Sequence, residues 1–506
     1  MGEYADIYVD DKFYSKNEFI NMKADFSDLP KYEDIKDSLP EPVWDGHSDE
    51  IKAYYKAWEI AFSNLGKPTK ENGFVSPYID AAFNGCIFMW DSCFMLMFGK
   101  YADNVFSFQK TLDNFYCKQE KDGYISREIS EENGRGKFYR HDPVSTGPEI
   151  MTWCEWQYYK NYGDKDRLKK VYYPLLSYHR WLKAYHRWPD GSYWSSGWGC
   201  GMDNLPRADM EAVPGAEDWH LETFHHSFMS WVDATMQAAM ACEHLILMAD
   251  ELGITDGVEE LEDGREKLIS YINDKMWDEK DGFYYDRRSN GELLKVKSAA
   301  AFWSLISKTA PAGRVERICA HLENKDEFNR KNRVPALSAD HPDFSSDGHY
   351  WNGGVWPPVV YMVLTGLTAN LKHESAHDIA VCNYKNMIEV FRSTGTLWEN
   401  YAPDKTAPGK PAKGDFVGWT GILPITMLIE YIFGIQISAD KNEIVWRINE
   451  LDRHGFNNLP VGRDSYVSLV CEKRNSKNEK PVVNVKSDKK LTVKIIWNDE
   501  SFIVNT

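Results

Sequence analysis

The stretch FHHSFMSWVDATMQAAMACEHLILMA, residues 224–249, is followed closely by VEELEDGREKLISYINDKM, residues 258–276. Both repeat with the period of a helix, yet their textures are opposite. The first carries Trp231, Val232, Met236, Ala239, Met240, Leu245 and Leu247 on several faces, as a helix enclosed by others must. The second confines its apolar residues to one stripe, Val258, Leu261, Leu268, Ile272 and Met276, with charges between them. That is a surface helix, opened by Thr255 or Asp256 as cap.

Applied outward, this test predicts single-striped helices near 49–65, 104–117, 165–187, 257–277, 312–325 and 373–394. Enclosed helices are predicted near 91–101, 148–162, 224–249, 296–307, 356–367 and 419–434. Strict alternation of enclosed and striped helices predicts a mainly α chain folded as an (α/α)6 barrel, six helices inside and six outside. Beyond residue 436 the texture changes to β-branched runs, EIVWRI, SYVSLVCEK, PVVNVKS, KLTVKIIW and SFIVN, which predict a small antiparallel β-sandwich. The expected organisation is an extended lead-in over 1–48, a barrel over 49–435 and a C-terminal sandwich over 436–506.

Composition narrows the partners. A net charge of −18 argues against nucleic-acid backbones and anionic membrane surfaces. The 19 Trp and 28 Tyr supply aromatic faces with polar edges, which suit a small-molecule sugar as well as a large core. The N-terminal run has no apolar signal region, and no window approaches a membrane span. Nine scattered cysteines form no CxxC pair and read as reduced thiols, so a cytoplasmic location is expected, although a leader-trimmed secreted or periplasmic chain has the same texture. Nothing specifies an oligomeric state.

The polar and aromatic loops all precede enclosed helices: FNGCIFMWD, REISEENGRGKFYRHDP, SSGWGCGMDNLPR, SSDGHYWNGGVWPP and LWENYAPDKTAPGKPAKGDFVGW. If the inner helices run parallel, these loops open at one end of the ring and share one pocket. Two carboxylates stand out there, Asp203 before the third inner helix and Glu399 before the sixth, on opposite sides. Glycoside hydrolysis needs a carboxyl that keeps its proton to protonate the leaving oxygen, and a second that activates water. Trp198 and Met202 provide an apolar setting for Asp203, and Trp398 and Tyr401 flank Glu399. Spacing alone equally allows Asp203 as a helix N-cap and Glu399 as a surface acid.

The segments GMDNLPR, YWNGGVWPP and WENY followed by GDFVGWTG resemble those of glycoside hydrolase family 63, which contains processing α-glucosidase I and bacterial α-glycosidases, and more distantly the trehalases. The resemblance runs from about Phe83 to Gly434 and implies Asp203 as general acid and Glu399 as general base. It also places MWD, with Trp90 and Asp91, and GYISREI, with Arg127, along the sugar pocket. Asn352–Gly353 stands where the family often has Arg-Gly, and the terminal β-module resembles the cap of α-rhamnosidase-like enzymes.

The other candidates have two readings each. Trp351, Trp356 and Trp419 are stacking platforms or core. Arg207 orients the acid or binds a hydroxyl, and His141, with His225 and His226, contacts sugar or caps a helix. His341 and His349 lack tight ligand spacing, so neither a metal nor a cofactor is expected. The function expected is an inverting, exo-acting, α-glucosidase-like hydrolase. The alternatives are a sugar phosphorylase, or a sugar epimerase or noncatalytic sugar-binding protein on the same barrel.

Overall fold

In the computed structural model, which describes residues 9–209 and 224–506, the two textures of helix sort by depth. The longer helices are α1 (Ser48–Ser63), α2 (Met89–Gly99), α3 (Met151–Tyr162), α4 (Lys165–Tyr185), α5 (Val232–Leu252), α6 (Val258–Lys275), α7 (Ala312–Glu323), α8 (Pro357–Ala369) and α9 (His373–Thr394). Every residue of α2 is buried, whereas α6 buries only Leu261, Leu268 and Ile272. Gly253, left-handed at φ 65°, ends α5 and releases the chain toward α6.

The enclosed helices pack in series. α2 lies on α3, α3 on α5, and α5 on a short helical segment formed by Ala299–Phe302 and Trp303–Ile306. That segment packs on α8, α8 meets the turn Thr420–Ile422, and this turn with the π-helix Leu423–Ile432 returns to α2. The striped helices back them: α4 against α3 and α5, α6 against α5, and α9 against α8 and the π-helix.

Three expected helices differ in kind. Residues 104–117 form a 3-10 turn, Phe108–Leu112, running into Asp113–Tyr116. Thr111 and Asn114 side chains there accept backbone N–H groups of Val75, Ser76 and Ile79, so this segment braces a neighbouring loop. The 419–434 helix is mostly π-helical. The helix expected from 224 starts at Val232, because Ser227 and Phe228 take left-handed φ of 53° and 54° while His225 and His226 accept their N–H groups through Nδ1.

The strands that matter are β1 (Glu41–Trp44), β2 (Cys86–Phe88), β3 (Glu128–Ser130), β4 (Ile435–Ser438), β5 (Glu443–Arg447), β6 (His454–Pro460), β7 (Tyr466–Cys471), β8 (Val483–Ser487), β9 (Thr492–Trp497) and β10 (Glu500–Asn505). The C-terminal region makes two four-stranded sheets, ordered β1-β6-β7-β8 and β4-β5-β9-β10. The N-terminal lead-in therefore supplies an edge strand, Glu41 pairing with Asn457 and Trp44 with His454. The pairing is not wholly antiparallel, since β5 and β9 run parallel with Ile444 opposite Val493. The chain between them passes through the other sheet, which leaves room for such a crossover. Ile444, Trp446, Val493 and Ile495 alternate with less buried residues and are buried completely.

Candidate active site

The loop carrying Asp203 is tied to three neighbours. Ser196 Oγ donates to the carbonyl of Pro143 at 3.3 Å and accepts from Gly199 N at 3.0 Å, closing the first turn. Gly201 is left-handed at φ +75°, and a Cβ there would sit 3.1 Å from the Trp90 indole, so glycine is required for this approach. Asn204 clamps the loop to the segment before α8: its amide donates to His349 O at 3.1 Å and its oxygen accepts from Trp351 N at 2.8 Å. That segment is bent hard, with His349 and Tyr350 at φ 34° and 62°.

Glu399 is fixed from a different direction. Its N–H donates to Lys413 O at 2.9 Å, and its Oε2 accepts from Lys413 N at 3.1 Å. The Trp419 indole donates to Glu399 O at 2.7 Å, and Lys413 Nζ is anchored on Ala82 O at 2.8 Å. The carboxylate is thus held by backbone beside a lysine-bearing segment.

A cavity of about 220 Å³ collects Trp90, Asp91, Arg127, Trp198, Asp203, Trp351 and Trp419 from the expected site residues. It also takes in Phe83, Phe88, Glu128 and Tyr350, which composition and spacing did not single out. Glu399 is close enough for its charge to act on Asp203 and on the Tyr350 hydroxyl. The β2–β3 pairing, Phe88 opposite Glu128, brings Arg127 and Glu128 beside the start of α2. Arg127 donates to Val144 O and Trp198 O at 2.7 and 3.1 Å and pairs with Glu128 at 2.6 Å, so its charge is fixed in the wall.

The two acids have unlike environments. Burial pushes the Asp203 carboxyl up to about 7, with Arg127 opposing and the charges of Glu128 and Glu399 adding to the rise. Burial also raises Glu399, and the Lys413 N–H and ammonium offset only part of that rise. Asp91 is buried with one oxygen lacking any hydrogen-bond partner among the described residues, and burial with the Asp80 charge holds it well above the usual carboxylate range. The Tyr350 hydroxyl is kept protonated by burial and by Asp203, Glu399 and Asp91, which makes it a donor.

The remaining expected residues lie elsewhere. Arg207, expected at a hydroxyl or beside the acid, is buried and turned away: it makes four bonds of 2.8 Å to Asp233 and Asp286 and covers the Trp231 ring at 4.6 Å. It anchors the end of the acid loop to the start of α5. Trp356 lies behind Trp351, the rings parallel at 3.8 Å. Trp398 donates to Thr394 Oγ1 at 3.1 Å, and Tyr401 is core, its hydroxyl accepting from Trp398 N at 3.4 Å. His141 lies outside this cavity and stacks on Trp181 at 6.1 Å.

Residues 87–420 match the family model of the mannosylglycerate hydrolase MGH1-like glycoside hydrolase domain. An uncharacterized protein of Borreliella burgdorferi is 24% identical over 394 residues, 76% of this chain and 79% of that protein. A probable mannosyl-oligosaccharide glucosidase of Schizosaccharomyces pombe is 23% identical over 300 residues, 56% of this chain but only 34% of the relative. Among solved structures, a GH63 mannosylglycerate hydrolase from Thermus thermophilus in complex with glucose superposes with a TM-score of 0.61 at 19% identity, over 74% of this chain and 99% of that one.

Proposed function

Because the chain belongs to the MGH1-like glycoside hydrolase family, we propose that it is an inverting, exo-acting, α-glucosidase-like enzyme with Asp203 as general acid and Glu399 as general base. The observation that carries this reading is two carboxyls with unlike surroundings, Asp203 pushed up to about 7 by burial with the Glu399 charge adding to the rise, and Glu399 raised by burial but opposed by the N–H and ammonium of Lys413. Asp203 then gives its proton to the glycosidic oxygen as the C–O bond breaks. Glu399 takes a proton from the water that attacks the anomeric carbon from the opposite face. Tyr350 and Asp91 offer a donor and an acceptor to ring hydroxyls, and Trp90, Trp351 and Trp419 offer apolar walls.

Several further features support the reading. The cavity is smaller than the roughly 300–1,000 Å³ of sites for drug-sized ligands, which fits one sugar ring and cleavage at a chain end. The serial packing that returns to α2 is read as the inner ring of an (α/α)6 barrel, with the terminal sheets as a sandwich against it. Nine unpaired cysteines fit a reducing cytoplasm, and no described helix is long and apolar enough to cross a membrane. An epimerase reading would give a histidine pair catalytic work, but His225 and His226 are engaged by backbone N–H groups.

The test is a panel of aryl α- and β-glycosides, short α-linked disaccharides and mannosylglycerate, the compound in the Thermus enzyme's name. Hydrolysis of an α-glycoside is expected, falling about 10²- to 10⁴-fold in Asp203→Asn and in Glu399→Gln. Full activity in either variant, or turnover only with inorganic phosphate, would overturn the assignment.

A further inference from the structure

A second cavity, of about 590 Å³, opens between α4, α5 and α6, and His179, Cys242 and Gly264 are part of its wall. Glu149 Oε1 lies 2.8 Å from His179 Nδ1, and His179 Nε2 lies 3.4 Å from Cys242 Sγ. The carboxylate holds the proton on Nδ1 and turns Nε2, a base, toward the sulfur, which is the arrangement that converts a thiol into a nucleophile. All three side chains are buried, and the hydrolytic reaction uses none of them.

The wall opposite the sulfur is open at one residue. Gly264 sits in the middle of α6, where glycine is a poor helix former. Packing does not demand it: a Cβ there would meet only Cys242 Sγ, at 3.9 Å. Its missing side chain removes one obstruction beside the sulfur, which lines the cavity although the Cys242 side chain is almost wholly buried.

We propose that Cys242, His179 and Glu149 form an activated-thiol site, separate from the sugar cavity, at which small soft electrophiles become covalently attached to Cys242. Burial works against a charge on His179, but Cys242 and Glu149 more than offset it and hold the imidazole well above its usual range, as such a pair requires. With iodoacetamide as electrophile, His179 Nε2 takes the thiol proton and the thiolate attacks the methylene carbon. The S–C bond forms, the C–I bond breaks, and iodide leaves. Glu149 is a positioning residue.

The experiment is brief labelling of the folded full chain with limiting iodoacetamide, followed by peptide mass spectrometry. Cys117, Cys319 and Cys382, all more exposed than Cys242, are internal comparators. Cys242 is expected to react about tenfold faster than any of them, and His179→Gln to remove that advantage while the comparators keep their rates. Gly264→Leu, which leaves the triad intact and suits a helix, is expected to slow Cys242 as well. The proposal is overturned if Cys242 reacts no faster than the comparators, or if its rate survives His179→Gln. Should that variant fail to fold, an unchanged rate in Gly264→Leu overturns it equally.

Discussion

Asp203 and Glu399 are both carboxyls near one cavity, and what separates them is the charge each meets after losing water. In the proposed mechanism Asp203 must be protonated, so kcat/KM should fall as pH rises through about 7. Glu399 must be charged, so an acid limb should lie above the ordinary carboxylate range, in keeping with its upward shift. A glycosyl fluoride needs little protonation at the leaving group. It should rescue Asp203→Asn far better than Glu399→Gln and remove the limb near 7, and equal rescue would contradict the division of roles. The same shift is visible in stability. A carboxyl whose folded pKa lies above its unfolded value binds protons more tightly when folded, so stability is lost as pH rises toward about 7. Asp203→Asn should therefore raise Tm more at pH 8 than at pH 5, and an equal or smaller gain at pH 8 would contradict the burial of that group. The place of Asp203 at the cavity was legible in GMDNLPR, but the direction of Arg207 was not. Its partners Asp233 and Asp286 lie 26 and 79 residues along the chain. Tyr350 was passed over beside Trp351, because a left-handed backbone at a bulky residue leaves no mark in composition.

Between elements, the loops are held by pairs of side chains whose roles can be separated by substitution. Trp351 lines the cavity and Trp356 lies beneath it. Trp351→Ala should raise KM beyond its effect on folding, while Trp356→Ala should act mainly on stability, by about 3–5 kcal/mol. Denaturant titration beside steady-state kinetics distinguishes them, and matched effects on both quantities in both variants would remove the distinction. Arg207→Met leaves Asp233 and Asp286 buried without their cation, for which a loss of about 3–5 kcal/mol is expected. Its effect on kcat should follow from a loosened acid loop, and a KM change without loss of stability would return Arg207 to the sugar. At this scale the sequence reading succeeded where a helix has one texture over its full length, as in α4, α6 and α9. It faltered at 104–117, where the Thr111 and Asn114 side chains reach distant backbone, and at 296–307, where Ser298 bridges Leu337 and the Ala299 N–H donates to Ala336 O.

Across the whole molecule, the C-terminal sheets and the lead-in are one construction, since β1 pairs with β6 across more than four hundred residues. Truncation after residue 436 should expose the helical wall and leave β1 unpaired, so insoluble protein is expected, and a soluble, fully active truncation would show the module to be dispensable. The β-texture beyond residue 436 was legible, yet β6 was not. Its sequence HGFNNLP reads as a turn, and it is a strand only because β1 and β7 pair with both its edges around an irregularity between Phe456 and Leu459. The central claim concerns geometry across the proposed ring. Inverting enzymes hold their two carboxyls roughly 6.5 to 9.5 Å apart to admit water, and retaining ones about 5 to 5.5 Å. In the proposed ring the loops before the third and sixth inner helices would lie on opposite sides of the sugar, so water rather than Glu399 should attack it. Proton NMR of an α-linked substrate, recorded before mutarotation, tests this most directly. The account predicts that the β-anomer is released first, and initial release of the α-anomer would contradict it.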